Sequence, residues 1–155
     1  MKIAVVSGGF DPIHSGHIAL LKEAKDYVQG NNLVVGVNSD EWLIRKKGRR
    51  FLPIEERINI LQSIRYVDYV WRFDDSDDSA ISLLERVKLI WGAKAEIVFC
   101  NGGDRNQSNN REIGVSGVEF VYGIGGSNKL NSSSTILEEW ENSKNISQFG
   151  QYGAL

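Results

Sequence analysis

The chain has 155 residues, 41% of them hydrophobic and 25% charged, with a formal net charge of -2. That size fits one globular domain whose core needs no staples, and the near-neutral balance provides no general basic surface, which argues against nucleic acid or an anionic membrane as the main partner. The single cysteine, Cys100, excludes an intrachain disulfide; at the end of an apolar run it reads as buried filler rather than a reactive thiol, and suits a reducing compartment. A strand begins almost at the first residue with no signal-peptide pattern, and no later segment is long and apolar enough to span a bilayer, so the expectation is a soluble, cytoplasmic protein.

The first strand is predicted over 2–6, from Ile3-Ala4-Val5-Val6. It feeds into Ser7-Gly8-Gly9-Phe10-Asp11-Pro12-Ile13-His14-Ser15-Gly16-His17, after which Ile18, Leu21, Ala24 and Val28 recur at helical spacing and predict a helix over 17–28. Both imidazoles thus fall at or just before a helix N-terminus, where free N–H groups and the helix dipole favour a phosphate. A second strand over 33–37 ends in Asn38-Ser39-Asp40, with Ser39 as N-cap of a short helix through Glu41 to Ile44. The basic stretch Arg45-Lys46-Lys47-Gly48-Arg49-Arg50 reads as a loop, and Pro53-Ile54-Glu55-Glu56-Arg57 opens a helix with Ile54, Ile58, Leu61 and Ile64 on its apolar face.

Tyr69 to Phe73 is the third predicted strand. The acidic run Asp74, Asp75, Asp77, Asp78 then reads as a solvated loop with helix caps in preference to a cation site, before a helix burying Ile81, Leu84, Val87 and Trp91. A fourth strand at Ile97 to Phe99 leads into Asn101-Gly102-Gly103-Asp104, and a fifth at Glu119 to Tyr122 leads through glycines into Ser132-Ser133-Ser134-Thr135 and a last helix near Ile136, Leu137 and Trp140. Residues 141–155 are polar with little periodicity and read as a tail or arm after a domain over 1–140. The alternation predicts an α/β, Rossmann-like three-layer fold with a five-stranded parallel sheet, ligands binding beyond the C-terminal strand ends. The histidine turn, Asn38 to Asp40, Asn101 to Asp104 and the serine cluster all follow strands directly and so converge on one edge.

The glycine turn is neither a P-loop nor a G-x-G-x-x-G fingerprint, so its chemistry rests on the histidines. Metal ligation is disfavoured because no third ligand motif joins them. A structural role stays open, and phosphate contact is the preferred reading, since imidazole N–H donors aimed at an α-phosphate stabilise charge that builds during in-line displacement. The basic stretch is read as an anion site over a merely solvated loop, and the four consecutive hydroxyls exceed a capping need and suit the β- and γ-phosphates.

Taken together, these residues resemble the cytidylyltransferase-like nucleotidyltransferases over roughly residues 1–140. Gly9-Phe10-Asp11 through His14-Ser15-Gly16-His17 is similar to the family's G-x-F-D-x-x-H-x-G-H signature, Lys47-Gly48 with Pro53 through Arg57 to its lysine loop and P-x-x-x-R helix start, Gly102-Gly103-Asp104 to its G-G-D loop, and Ser133-Ser134-Thr135 to its S-T-T element. The closest branches are glycerol-3-phosphate cytidylyltransferase and the adenylyltransferase domain that makes ADP-heptose. The resemblance implies attack of a phosphorylated alcohol or sugar on the α-phosphorus of CTP, or alternatively ATP, with pyrophosphate released and Mg²⁺ accompanying the triphosphate. By position it implies transition-state roles for His14, His17 and Lys47. It implies nucleotide contacts from Gly8, Gly9, Phe10, Asp11, Gly16, Gly102, Gly103, Asp104, Lys129, Ser133, Ser134 and Thr135, and acceptor contacts from Asp11, Asp40, Lys46 and Arg57. It also implies a homodimer, by analogy. A departure stands at Ser127 to Ser132, where cytidylyltransferases commonly carry R-T-E-G-I-S: the arginine is missing, with Lys129 the substitute charge. This pulls the resemblance towards the sugar-phosphate branch. A catalytically idle nucleotide-binding module is the rival from another class.

Overall fold

The computed structural model describes residues 1–103, 105–126 and 132–148. In it the strands β1 (Lys2–Gly8), β2 (Leu33–Val37), β3 (Tyr69–Arg72), β4 (Glu96–Cys100) and β5 (Val118–Val121) alternate with the helices α1 (Ser15–Tyr27), α2 (Asp40–Lys47), α3 (Ile54–Gln62), α4 (Ile81–Trp91) and α5 (Ser133–Gln148). Every strand pairing is parallel, in the order β3-β2-β1-β4-β5. A parallel sheet is covered on both faces, which is why β1, β2 and β4 are almost unbroken apolar runs. Alternate residues feed two cores. Ala4, Val6, Val35, Val37 and Cys100 pack with Leu21 and Ala24 of α1 and with Ile54 and Leu61 of α3, while Ile3, Val5, Val34, Ile97 and Phe99 pack with Leu83, Leu84 and Val87 of α4. This is the three-layer Rossmann-like fold that the alternation predicts.

The departures from the sequence reading are local. The basic stretch is not all loop: α2 extends through Arg45, Lys46 and Lys47 until Gly48, whose left-handed backbone (φ 84°) ends it with an N–H bond back to Ile44 O. Ser39 caps its start, accepting from Trp42 N. On α4 the fully buried positions are Leu83, Leu84 and Val87, with Ile81 and Trp91 half-covered, because the helix presents a wider face to the sheet than the strict repeat suggests. The last helix does not stop near residue 140 but runs to Gln148, and Trp140 lies on its outside, 56% exposed. A one-turn 3₁₀ helix, Arg111–Gly114, precedes β5 and has no counterpart in the sequence reading.

The chain builds β1, β2 and β3 outward to one side and then crosses back to lay β4 and β5 on the other. The crevice beyond the C-terminal ends of β1 and β4 is therefore the topological switch point, where open α/β sheets bind their ligands.

Candidate active site

The β1–α1 turn uses its two histidines as a reciprocal cap. His14 is the N-cap of α1 and its Nδ1 accepts from Gly16 N–H (3.0 Å), while His17, at the third helical position, accepts the His14 N–H on its own Nδ1 (3.2 Å). Two backbone donors that a helix start leaves unpaired are thereby satisfied. The bonds also set the tautomers: with both Nδ1 lone pairs committed, the neutral rings carry their hydrogens on Nε2. The rings stack at 3.9 Å between centroids, and Phe10, held in a left-handed conformation (φ 52°), packs its buried ring 5.0 Å from His17. Burial, then the neighbouring His14 and the charge of Lys47, push the His17 pKa down to about 3, so the unliganded protein holds a neutral N–H donor there.

These rings line a cleft of about 480 Å³ at the switch point. Its lining includes donors: His14, His17, Lys47 at the last turn of α2, and Ser132, Ser133 and Ser134 at the start of α5. Ser133 is also an anchor, its hydroxyl donating to Pro12 O (2.8 Å), and Ser132 caps α5 by accepting from Thr135 N (3.1 Å). The lining also takes Gly102, Gly103 and Arg105 after β4, Ile124 to Gly126 after β5, and Leu20 of α1. Glycine is required where these loops meet: a Cβ on Gly102 would lie 2.8 Å from Ile124 O, and one on Gly125 2.9 Å from the Leu20 backbone. Cys100 sits at the cleft floor, its thiol pushed up to about 12 mainly by burial, and so behaves as filler.

The basic stretch divides. Arg45 binds Asp78 and the Asp75 carbonyl, Lys46 binds Asp78, Arg49 reaches Glu141 (3.2 Å) and Arg50 reaches Asp40 (3.4 Å). The hydrogen bonds from Arg45 and Lys46 hold the Asp78 carboxyl below its usual range. Among the described residues only Lys47 of this group lines the cleft, with no carboxylate within ion-pair distance. The acidic run is correspondingly not just solvated: Asp75 is buried and accepts from Asn38 Nδ2, Ser39 N and Ser39 Oγ.

The acceptor contacts implied by position fare differently from the nucleotide ones. Arg57 has its side chain 0% exposed and donates to Leu52 O, Gly9 O, Asn38 O and Asp40 Oδ1, so in this structure it ties three loops together. Asp40 is its partner, and Lys46 faces the acidic loop away from the cleft. Asp11 is buried with both carboxylate oxygens taken at 2.6 Å by Phe51 N and Leu52 N; it borders a separate hollow beside Lys47 and Ser134. Thr135 faces the α5 cap and Gly9 packs on Leu43, both outside the cleft lining, whereas Gly8, Phe10, Gly16, Gly102, Gly103, Ser133 and Ser134 are in it. Asp104 and Lys129 lie outside the described residues. The cleft also holds an arginine that the sequence reading did not single out, Arg105, whose only signal was its place directly after Gly102-Gly103-Asp104.

The sequence profile described as cytidylyltransferase-like matches residues 5–139, which include every element that builds the cleft. The chain belongs to the cytidylyltransferase-like family. It is similar to the "Bifunctional protein HldE" of Alcanivorax borkumensis (37% identical over 83% of this chain) and of Geobacter metallireducens (36% over 81%). The chain spans about a quarter of the length of these relatives, 24% and 23%. The fold is shared with the crystal structure of a lipopolysaccharide core biosynthesis protein from Thermoplasma volcanium (TM-score 0.58, 23% identity, covering 79% of this chain and 95% of that one). No helix among the described residues of this cytidylyltransferase-like protein is long and apolar enough to cross a membrane.

Proposed function

We propose that the protein transfers a nucleoside monophosphate from ATP to the phosphate of a small phosphorylated sugar and releases pyrophosphate. The observation that carries this reading is the histidine cap, which commits both Nδ1 atoms to backbone and leaves both Nε2 atoms as donors in a cleft that also holds a lysine and a helix N-terminus. A phosphate oxygen of the acceptor attacks the α-phosphorus; the bond from the α-phosphorus to the bridging oxygen breaks, and its electron pair leaves with pyrophosphate. The nucleophile is already anionic at neutral pH, so no general base is needed. Neither imidazole is arranged as one, since each Nδ1 already accepts a backbone N–H. Their part is donation to the α-phosphate oxygens, where negative charge builds. Lys47 neutralises phosphate charge, the hydroxyls and N–H groups at the start of α5 hold the β- and γ-phosphates, and the glycine wall receives ribose and base.

The family resemblance implies Mg²⁺, which supplies charge neutralisation on the triphosphate. Among the described residues no group of three His, Cys, Asp or Glu could hold a metal, and Asp11 spends its carboxylate on backbone, so the donor set suits an ion carried in by the phosphates rather than a protein cage. The HldE relatives favour ATP over the CTP suggested by the family's description.

The test is pyrophosphate release with Mg²⁺, offering ATP and CTP separately against sugar 1-phosphates, polyol phosphates, nicotinamide mononucleotide and phosphopantetheine. Release with ATP that depends on a sugar phosphate is expected. Release with CTP and a polyol phosphate moves the assignment to the cytidylyl branch, and triphosphate binding without release for any acceptor returns the idle module. Sedimentation of the same sample reads whether the homodimer implied by analogy forms.

A further inference from the structure

The buried charge that this mechanism leaves unused is Glu112. Its carboxylate is 2% exposed and sits in the 3₁₀ turn before β5. Oε1 accepts from Ala80 N–H at the start of α4 (2.7 Å), and Oε2 accepts from Arg105 Nη1 (3.3 Å). Its own N–H donates to Asn110 Oδ1, and Asn110 Nδ2 donates in turn to Tyr122 Oη (both 3.0 Å), so the backbone that carries the carboxylate is held as well. A buried carboxylate is tolerated only when paired, and the cation paired with it is one that lines the cleft. Arg105 is thus anchored through one amino group, while its side chain, 42% exposed, lines the cleft and has further guanidinium N–H groups to offer.

We propose that Arg105 is a nucleotide-positioning residue that holds the nucleoside half of the triphosphate, with Glu112 as the strut that orients it. Its place in the cleft decides which half. Arg105 follows Gly102 and Gly103, on the wall formed by the β4 and β5 loops, whereas the phosphate donors come from the β1–α1 turn, α2 and the start of α5. A guanidinium over a glycine-lined wall offers what a heterocyclic base takes, a planar cation to stack on and N–H groups for its ring acceptors. The inference rests on the proposed triphosphate chemistry.

Equilibrium binding of ATP, CTP and inorganic tripolyphosphate to the full chain tests it, for wild type, Arg105→Lys, Arg105→Gln, Glu112→Gln and Lys47→Ala. Both Arg105 variants are expected to weaken the preferred nucleoside triphosphate by about tenfold, the scale of one charge-assisted contact, while tripolyphosphate binding stays within about twofold. Lys47→Ala weakens both ligands. Glu112→Gln weakens the nucleotide alone, and its effect does not add to that of Arg105→Gln. Folded Arg105 variants that bind nucleotide as wild type does, with only a lowered Tm, overturn the proposal, and so does a parallel loss of tripolyphosphate. Wild-type transfer activity whose nucleotide KM ignores Arg105 sinks this inference alone; nucleotide binding that depends on Arg105 without any transfer sinks the proposed reaction alone; a wild-type chain that binds no nucleotide sinks both.

Discussion

The β1–α1 turn and the basic stretch from Arg45 to Arg50 both read as anion sites in the sequence, yet the fold uses them in opposite ways. In the turn, each histidine serves twice: one ring nitrogen satisfies a backbone N–H at the helix start and the other carries the hydrogen. In the basic stretch, Arg45, Lys46, Arg49 and Arg50 are consumed by carboxylates and carbonyls of the protein itself, as is Arg57 beyond it, leaving Lys47 on the cleft. Density of charge therefore marks where loops are tied together, and the site is marked instead by side chains whose position the backbone has locked. A surface ion pair of the Arg49 kind contributes little, but the enclosed Arg57 carries a structural share.

That contrast breaks most visibly at Arg57. Arg57→Ala is expected to lower unfolding free energy by about 3–5 kcal/mol by orphaning Asp40 and the Leu52, Gly9 and Asn38 carbonyls. Urea titration reads the loss, and a stable variant with a raised acceptor KM would restore Arg57 to the site. His17→Ala is expected to reduce kcat by about 10²-fold, the scale for losing one donor to a developing oxyanion, with the fold retained. A decrease below about threefold, with circular dichroism unchanged, would return the histidines to a purely capping role. Lys47→Ala should raise a substrate KM by about tenfold while Arg49→Ala changes it by less than about twofold, as expected of a charge on the ligand against an exposed ion pair. Equal effects in steady-state kinetics would erase the distinction within the basic segment.

A further effect is in pH. The His17 pKa is lowered in the folded protein, from 6.5 to about 3, so between those values the unfolded chain binds a proton that the folded one does not. Stability from this group is therefore full above about pH 6.5 and declines as pH falls towards 3. Wild type should lose stability more steeply than His17→Gln over that window, measured as the difference between their urea midpoints against pH; parallel curves would mean that His17 is not buried as described.

Local pattern was enough for the element order because each strand and helix of a parallel α/β sheet carries its own signature, unbroken β-branched runs for the one and a three-to-four repeat for the other. The glycine-histidine turn was equally legible, since its residues act on backbone within three positions of themselves. Partners far along the chain were not. Arg57 meets Gly9 at a separation of 48 residues, Asp75 meets Ser39 at 36, and Arg105 gains its meaning from a glutamate fixed against the start of α4. The polar stretch after residue 140 gave no apolar repeat, yet α5 continues to Gln148, because residues of adequate helix propensity extend a helix whose start Ser132 already caps.

The sequence alone determined the fold class, the parallel order of elements and the identity of the histidine turn, since these follow from short-range periodicity and from groups that bond to their own neighbours. Only the tertiary structure decided which charges line the cleft and which are spent inside. An ion pair is chosen by distance in space, and the crossing from β3 back to β4 brings distant loops to one crevice where lysine, serines and Arg105 converge.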